Sequence, residues 1–359
     1  MRVAQGRGGD RHVQLNLEIA IRLRRGKVRR CDCTRLAGNA ALGYKRPMLL
    51  LRMILATALA ATVAGTHTTA RAQTLGSLNP KPLPALANPH DPHLAAKEIF
   101  GRKTTPAPLG VQSIGFYAKG CLSGGEALPI TGPTWQVMRL SRDRNWGNPE
   151  LVTLVERLSA KINKVAGWPG LLIGDMSQPR GGPMLTGHAS HQIGLDADIW
   201  LTPMPNRLLS RNEREMMSAT DMVAKNRLDI DPKTWTPRHL AVIRAAAQEP
   251  QVERIFVNAA IKKALCREAK GDRHWLSKVR PMYGHNYHFH IRIKCPAGSQ
   301  HCTPQTPPDN DPHCSAGDLA YWFSDAVLHP KPPIKPPKPK PPLTLADLPA
   351  ACRQVAATP

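Results

Sequence analysis

Two short stretches, LDADIWL (195–201) and YHFHIRIK (287–294), alternate polar and apolar side chains with a period of two. That period belongs to a β-strand with one ligand-bearing face and one face in the core. In the first, Asp196, Asp198 and Trp200 share a face and Ala197 and Ile199 lie behind them. In the second, His288 and His290 share a face, backed by Phe289 and Ile291. Two such strands can hold one metal ion between them. Just upstream, GHASHQIG (187–194) adds His188 and His191 among small residues that leave room for a substrate to approach.

Each piece has a bland reading. An HxH pair can be two core histidines, a loop histidine is usually just solvated, and DAD can cap turns. Together they are more specific. His191, Asp198 and His290 supply the two imidazoles and one carboxylate of a catalytic zinc site with a position left for water. Zinc lowers the pKa of such a water from about 15.7 toward about 7, and His288, next but one to His290, is placed to take its proton or to stabilise an oxyanion. His90 and His93 lie in a proline-rich stretch and read as solvated; His239 and His274 fall outside the clusters and read as structural.

The formal net charge of +23 suggests nucleic acid or an anionic surface as partner. Its placement weakens that inference. Residues 45–72 have a basic start, an apolar run from Met53 to Val63 and an A-x-A ending at Ala72, the form of a secretory leader. The expectation is a signal peptide at 48–72, a start at Met48 or Met53, and a non-structural extension at 1–47; the bland alternative is a membrane anchor with a basic tail. Removing 1–72 takes away 14 basic and 3 acidic residues and leaves +12. Four of the remaining cations, Lys331, Lys335, Lys338 and Lys340, sit in a proline-rich tail. That balance suits an anionic envelope polymer, and with few aromatics for stacking the chain does not read as a nucleic-acid binder. No stretch of 18 apolar residues predicts a stable membrane span once the leader is gone.

Export makes disulfides the plain reading of the six cysteines left after the leader, Cys121, Cys266, Cys295, Cys302, Cys314 and Cys352. Spacing alone does not choose among their pairings, and the absence of any CxxC argues against a cysteine zinc site. Helices are predicted at 148–165, capped by Asn148 with Pro149 in the first turn, at 236–248 and at 259–269. Strands are predicted at 169–177, 195–201, 253–258 and 287–294. The expected fold is a single α+β domain, a small central antiparallel sheet flanked by helices and long disulfide-tied loops. An extended arm (73–110) precedes the body (111–328), and a Pro/Lys-rich strap (329–359) follows it.

The stretches YAKGCLSGGEALPITGPTWQVMR, LIGDMSQPRGG, GHASHQIGLDADIWL, RIFVNAAIKKALC and VRPMYGHNYHFHIRIKCP carry a resemblance over residues 111–352. The chain resembles the penicillin-insensitive murein endopeptidases, periplasmic zinc enzymes in the wider group of lysostaphin-like peptidases, D-alanyl-D-alanine metallopeptidases and hedgehog domains. The resemblance implies zinc held by His191, Asp198 and His290, with His188 a further metal contact. It implies His288 as base or transition-state stabiliser, with His285 lining the same cleft and able to stabilise the oxyanion. It implies the disulfides Cys121–Cys352, Cys266–Cys314 and Cys295–Cys302. The implied substrate is the D-alanyl–diaminopimelate cross-link of peptidoglycan, cut in the periplasm without a serine acyl-enzyme, so β-lactams should not inhibit. Family members can carry a downstream Asp and His for further metal; here Asn226 and Asp229 stand at those places, and a second metal site is not expected. Two rivals share the metal set: a D-alanyl-D-alanine carboxypeptidase, and a silent zinc-stabilised wall-binding module, which should have lost a ligand or His288.

Overall fold

In the computed structural model, which describes residues 75–333, 335 and 338–359, the two alternating stretches are neighbouring strands of one six-stranded sheet. The leader expected at 48–72, the segment 1–47 and residues 73–74 of the arm lie outside the described residues. Across the sheet the strands are Trp135–Val137, Leu171–Ile173, Asp196–Trp200, His288–Ile293, Val252–Val257 and Val279–Pro281. The three central junctions are antiparallel, as expected, while the two outer ones are parallel. The central pairing sets His290 opposite Asp198 and Arg292 opposite Asp196. The same register sends Ala197, Ile199, Phe289 and Ile291 to the other face, where all four are fully buried.

Helix Pro149–Ala166 packs into that apolar core. The Asn148 side chain accepts the Glu150 N–H at 3.1 Å, Pro149 fills the first position, and Gly167 ends the helix at φ 66°. Leu151, Leu154, Val155, Leu158 and Ile162 recur on one side and share the core with the sheet. Helices Pro237–Ala247 and Ala259–Glu268 join it through Val242, Ile243, Ile261 and Leu265. No helix among the described residues is long and apolar enough to cross a membrane.

A second apolar cluster combines Ala96, Phe100, Ile114 and Cys121 with Leu348, Cys352 and Val355. Within the arm expected to be extended, Ala96–Phe100 is helical, and the Ala96 N–H donates to Leu343 O at 2.7 Å. Five residues are too few for a helical period to show in the sequence. Within the strap, Ala351–Ala357 is likewise helical, and Cys352 is joined to Cys121. Buried Arg180 ties these pieces together: its guanidinium donates to Thr105 O at 3.0 Å, Val355 O at 2.9 Å and Pro359 O at 2.8 Å, and also to Thr358 O. Disulfides Cys266–Cys314 and Cys295–Cys302 close two further loops.

One lysine is wholly enclosed. Lys262 is 0% exposed and its Nζ donates to Leu276 O at 2.8 Å and Pro312 O at 2.6 Å. Burial, helped by Arg280, pushes its ammonium from an ordinary 10.5 down to about 7. Between those values the unfolded chain holds the proton more tightly than the folded one. Stability therefore rises as pH climbs through that window and is lost as pH falls toward 7. Urea midpoints are expected to climb between pH 7 and 9.5, and Lys262→Met to flatten the climb; an equal slope in both proteins would refute the assignment.

Candidate metal centre

His191 holds a backbone conformation that few side chains adopt. Its φ is 68°, in the left-handed region, between Gly187 at 88° and Gly194 at 70°. Such a residue costs of order 1 kcal/mol and persists only where its surroundings over-determine it. Here its N–H donates to Asp196 Oδ2 at 3.0 Å and its carbonyl accepts from Ser177 Oγ at 2.6 Å. Its imidazole is 0% exposed, and neither ring nitrogen has a hydrogen-bond partner.

Asp198 is the point on which the other groups converge. His191 Nε2 lies 3.5 Å from its Oδ1, His290 Nδ1 3.1 Å and His288 Nε2 3.6 Å from the same atom, and His188 Nε2 lies 3.6 Å from Oδ2. The His188 and His191 rings are 4.3 Å apart, and those of His285 and His288 are 4.7 Å apart. His290 Nε2 lies 3.0 Å from Asp196 Oδ1, which leaves Nδ1 toward Asp198. His188 Nε2–H donates to Asp175 Oδ2 at 3.0 Å.

Asp175 arrives by way of a bulge. The Gly174 N–H donates to Asp198 O at 2.8 Å and the Asp198 N–H to Asp175 O at 2.9 Å, so two residues oppose one. This is why the strand expected at 169–177 runs only from Leu171 to Ile173. Beyond it, Asp175 lines a cleft of about 720 Å3 with His188, Asp198, His285, His288 and His290.

Three carboxylates are thus buried together, and burial opposes the charge on each. For Asp175 this is more than offset by the His188 hydrogen bond and by Arg144 and Arg142, and for Asp196 by Arg292 and His290. For Asp198 the surrounding imidazoles do the same. All three therefore sit well below the usual carboxylate range. The histidines are split by the same forces. Burial draws His191 down and His288 down to about 4, while against burial Asp196 and Asp198 hold His290 up at about 9. Asp198 and Asp175 likewise hold His188 above its ordinary value.

This donor set suits a cation. Both ring nitrogens of His191 and of His288, and Asp198 Oδ1, are buried without a hydrogen-bond partner. Ligand atoms of His188, His191 and Asp198 all lie within 4.8 Å of one another. Imidazole nitrogens beside an ionised carboxylate are the chemistry of a transition-metal site.

The six residues expected at the site, His188, His191, Asp198, His285, His288 and His290, meet here. Asn226 is exposed and Asp229 is engaged by Arg267 at 2.8 Å and Lys263 at 3.3 Å, so neither joins them. His90, His93 and His274 are exposed, whereas His239 is buried, its Nδ1 accepting the Thr236 N–H at 3.0 Å. Sequence reasoning missed Asp175, Arg142, Arg144 and Arg292, and gave Asp196 no task. A carboxylate directly after a short apolar strand, in LLIGD, was the available signal for Asp175.

A family model described as penicillin-insensitive murein endopeptidase matches residues 113–357. The chain is 43% identical over 240 residues to a Klebsiella pneumoniae protein named penicillin-insensitive murein endopeptidase, covering 67% of this chain and 86% of that one. A Haemophilus influenzae protein of the same name is 42% identical over 245 residues, covering 66% of this chain and 84% of its own length. One from Shigella sonnei is 42% identical over 242 residues, covering 67% and 86%.

Asp196 reaches the centre through the His191 N–H and through His290. Asp196→Asn is expected to weaken metal binding about 10–100-fold, the usual effect of removing a carboxylate behind a ligating imidazole. A competition titration against a chromophoric chelator measures it, with Asp229→Asn as the unaffected control; equal affinities for Asp196→Asn and the native protein would count against the role.

Proposed function

The chain belongs to the penicillin-insensitive murein endopeptidases, and from that membership we propose that it is a zinc metallopeptidase of the periplasm that hydrolyses the D-alanyl–diaminopimelate cross-links of peptidoglycan. The observation that carries the metal chemistry is the convergence of buried, partnerless imidazole nitrogens on Asp198 in an open cleft. His191, Asp198 and His290 would hold the zinc, with His188 as a further contact. Bound there, zinc would polarise the scissile carbonyl and acidify the attacking water.

The remaining work falls to imidazoles. Burial keeps His288 neutral at pH 7, free to accept a proton from the water or to donate an N–H to the oxyanion. His285 Nδ1–H donates to the Tyr283 carbonyl at 2.8 Å, so neutral His285 offers a lone pair at Nε2. Burial, with the imidazoles of His288 and His290, pushes His285 down to about 3, so it stays neutral and serves as an acceptor. Nothing in this scheme needs a serine acyl-enzyme, which accounts for indifference to penicillin.

Purified protein incubated with cross-linked muropeptide dimers is expected to release monomers with zinc and none after chelation, with or without penicillin. His288→Ala should keep its zinc and lose about 10²–10⁴-fold in kcat, the share of a general acid–base group; His191→Ala should lose both metal and activity. Dimers that only shed a terminal D-alanine would make the protein a carboxypeptidase, and intact dimers over a zinc-loaded protein would make it a wall-binding module.

A further inference from the structure

We propose that Tyr283, Tyr321 and Trp322 form a stacking platform at the mouth of the cleft that seats a sugar ring of the glycan strand bearing the cross-link. This rests on the endopeptidase reading above. Tyr283 lines the cleft two residues before His285, whose Nδ1–H its carbonyl accepts. Tyr321 lies 38 residues further along the chain, with Trp322 next to it. The Tyr283 and Tyr321 hydroxyls pair at 2.6 Å. The Trp322 ring stands 4.9 Å from that of Tyr283 and 5.5 Å from that of Tyr321, so the three rings carry one aromatic surface outward from the cleft wall.

These rings are braced and yet face water. The segment that carries Tyr321 is anchored on one side by the Cys266–Cys314 disulfide and by Ser315 Oγ, which accepts the Asp318 N–H at 3.1 Å. On the other side Lys263 Nζ stands 5.3 Å from the centre of the Phe323 ring, and Arg227 Nη2 donates to Val327 O at 3.2 Å. Tyr283 is nevertheless 57% exposed and Tyr321 59%. Fixed aromatic faces left open beside a substrate cleft mark a surface that a ligand covers. Within the hydroxyl pair only one O–H is spent as donor, so the other remains for that ligand.

The cross-linking peptide and the sugar strand differ in what they can lay on such a surface. The peptide offers methyl groups, carboxylates and a methylene chain, with no ring and no broad apolar side chain. The strand offers pyranose rings, whose slightly positive C–H faces suit the negative face of an aromatic ring and whose hydroxyls reach a phenol at its edge. The distances allow both to be engaged at once. Four residues of stem peptide join the sugar to the carbonyl under attack, roughly 13 Å when extended. The His285 and His290 rings are 6.0 Å apart, and Tyr283 is at most roughly 7 Å of backbone from His285. A carbonyl at the metal centre thus holds its sugar on a tether long enough to reach the platform.

The test uses cross-linked muropeptide dimers that keep their disaccharides and the same dimers stripped of sugar. The native enzyme is expected to favour the sugar-bearing dimers by about 5–10-fold in kcat/KM, the scale of one stacked ring, and mainly through KM. Tyr321→Ala should lose that preference, cutting the sugar-bearing dimers as slowly as the stripped ones, with zinc content and melting unchanged. Tyr321→Phe, which keeps the ring, should retain most of it. Equal rates for the two dimers with the native enzyme, an intact preference in Tyr321→Ala, or equal slowing of both dimers in that variant overturns the platform; the last would make the surface a peptide seat. If the native protein cuts neither dimer, the endopeptidase reading falls and equilibrium binding decides the platform alone. Tighter binding of the sugar-bearing dimers, lost in Tyr321→Ala, would uphold it, and equal affinities would overturn it.

Discussion

Asp198 and His290 face each other across two buried strands, and much of the molecule follows from keeping them there. Ala197 and Ile199 on one strand and Phe289 and Ile291 on the other are fully buried behind the pair. A slip of one residue would drive His288 and His290 into the core and turn Phe289 and Ile291 out to the cleft. Each large apolar side chain resists that exchange by about 2 kcal/mol. The burial that folds the sheet therefore also aims the cleft's imidazoles and carboxylate, and helix Pro149–Ala166 completes the apolar side that makes the register unambiguous.

The opposite face poses a harder problem, because it buries charge. Asp196 shows how it is solved: Arg292 Nε and Nη2 donate to it at 2.7 and 3.1 Å, the His191 N–H at 3.0 Å, and His290 stands beside it. One carboxylate thereby ties a left-handed loop residue and a strand residue into a single arrangement. Removing one partner of such a buried group typically costs 3–5 kcal/mol. Asp175 performs the parallel task for His188. Loop and strands are thus coupled by ionised groups where apolar packing cannot reach.

The residues of the candidate site were legible in the sequence because period two is a local property. LDADIWL and YHFHIRIK announce strands and the faces on which Asp198, His288 and His290 lie, and the likeness of 111–352 to a known family named His188 and His285 as well. The helix at Pro149–Ala166 was equally plain, since its cap and apolar stripe are both written within 20 residues. What escaped depends on distant parts meeting. The bulge that carries Asp175 exists only against Asp198, and the guanidiniums of Arg142 and Arg144 gain meaning only beside Asp175. The helix Ala96–Phe100 is tied to Leu343 by a hydrogen bond and shares its cluster with Val355, and an arm read alone could not show it.

That last dependence bears on how the chain comes to be folded. Cys121 and Cys352 are 231 residues apart, and the apolar cluster around them draws on both ends of the described chain. During emergence from N- to C-terminus, the cluster of Phe100 and Ile114 stays incomplete until Leu348 and Val355 follow. Cys121 meanwhile coexists with Cys266, Cys295, Cys302 and Cys314, all of which appear before its native partner. Contacts of such long sequence separation close last and slowly. The route to the native state therefore includes an interval in which the wrong thiols are available and the right one is still to come, and correct oxidation becomes a matter of timing as much as of geometry.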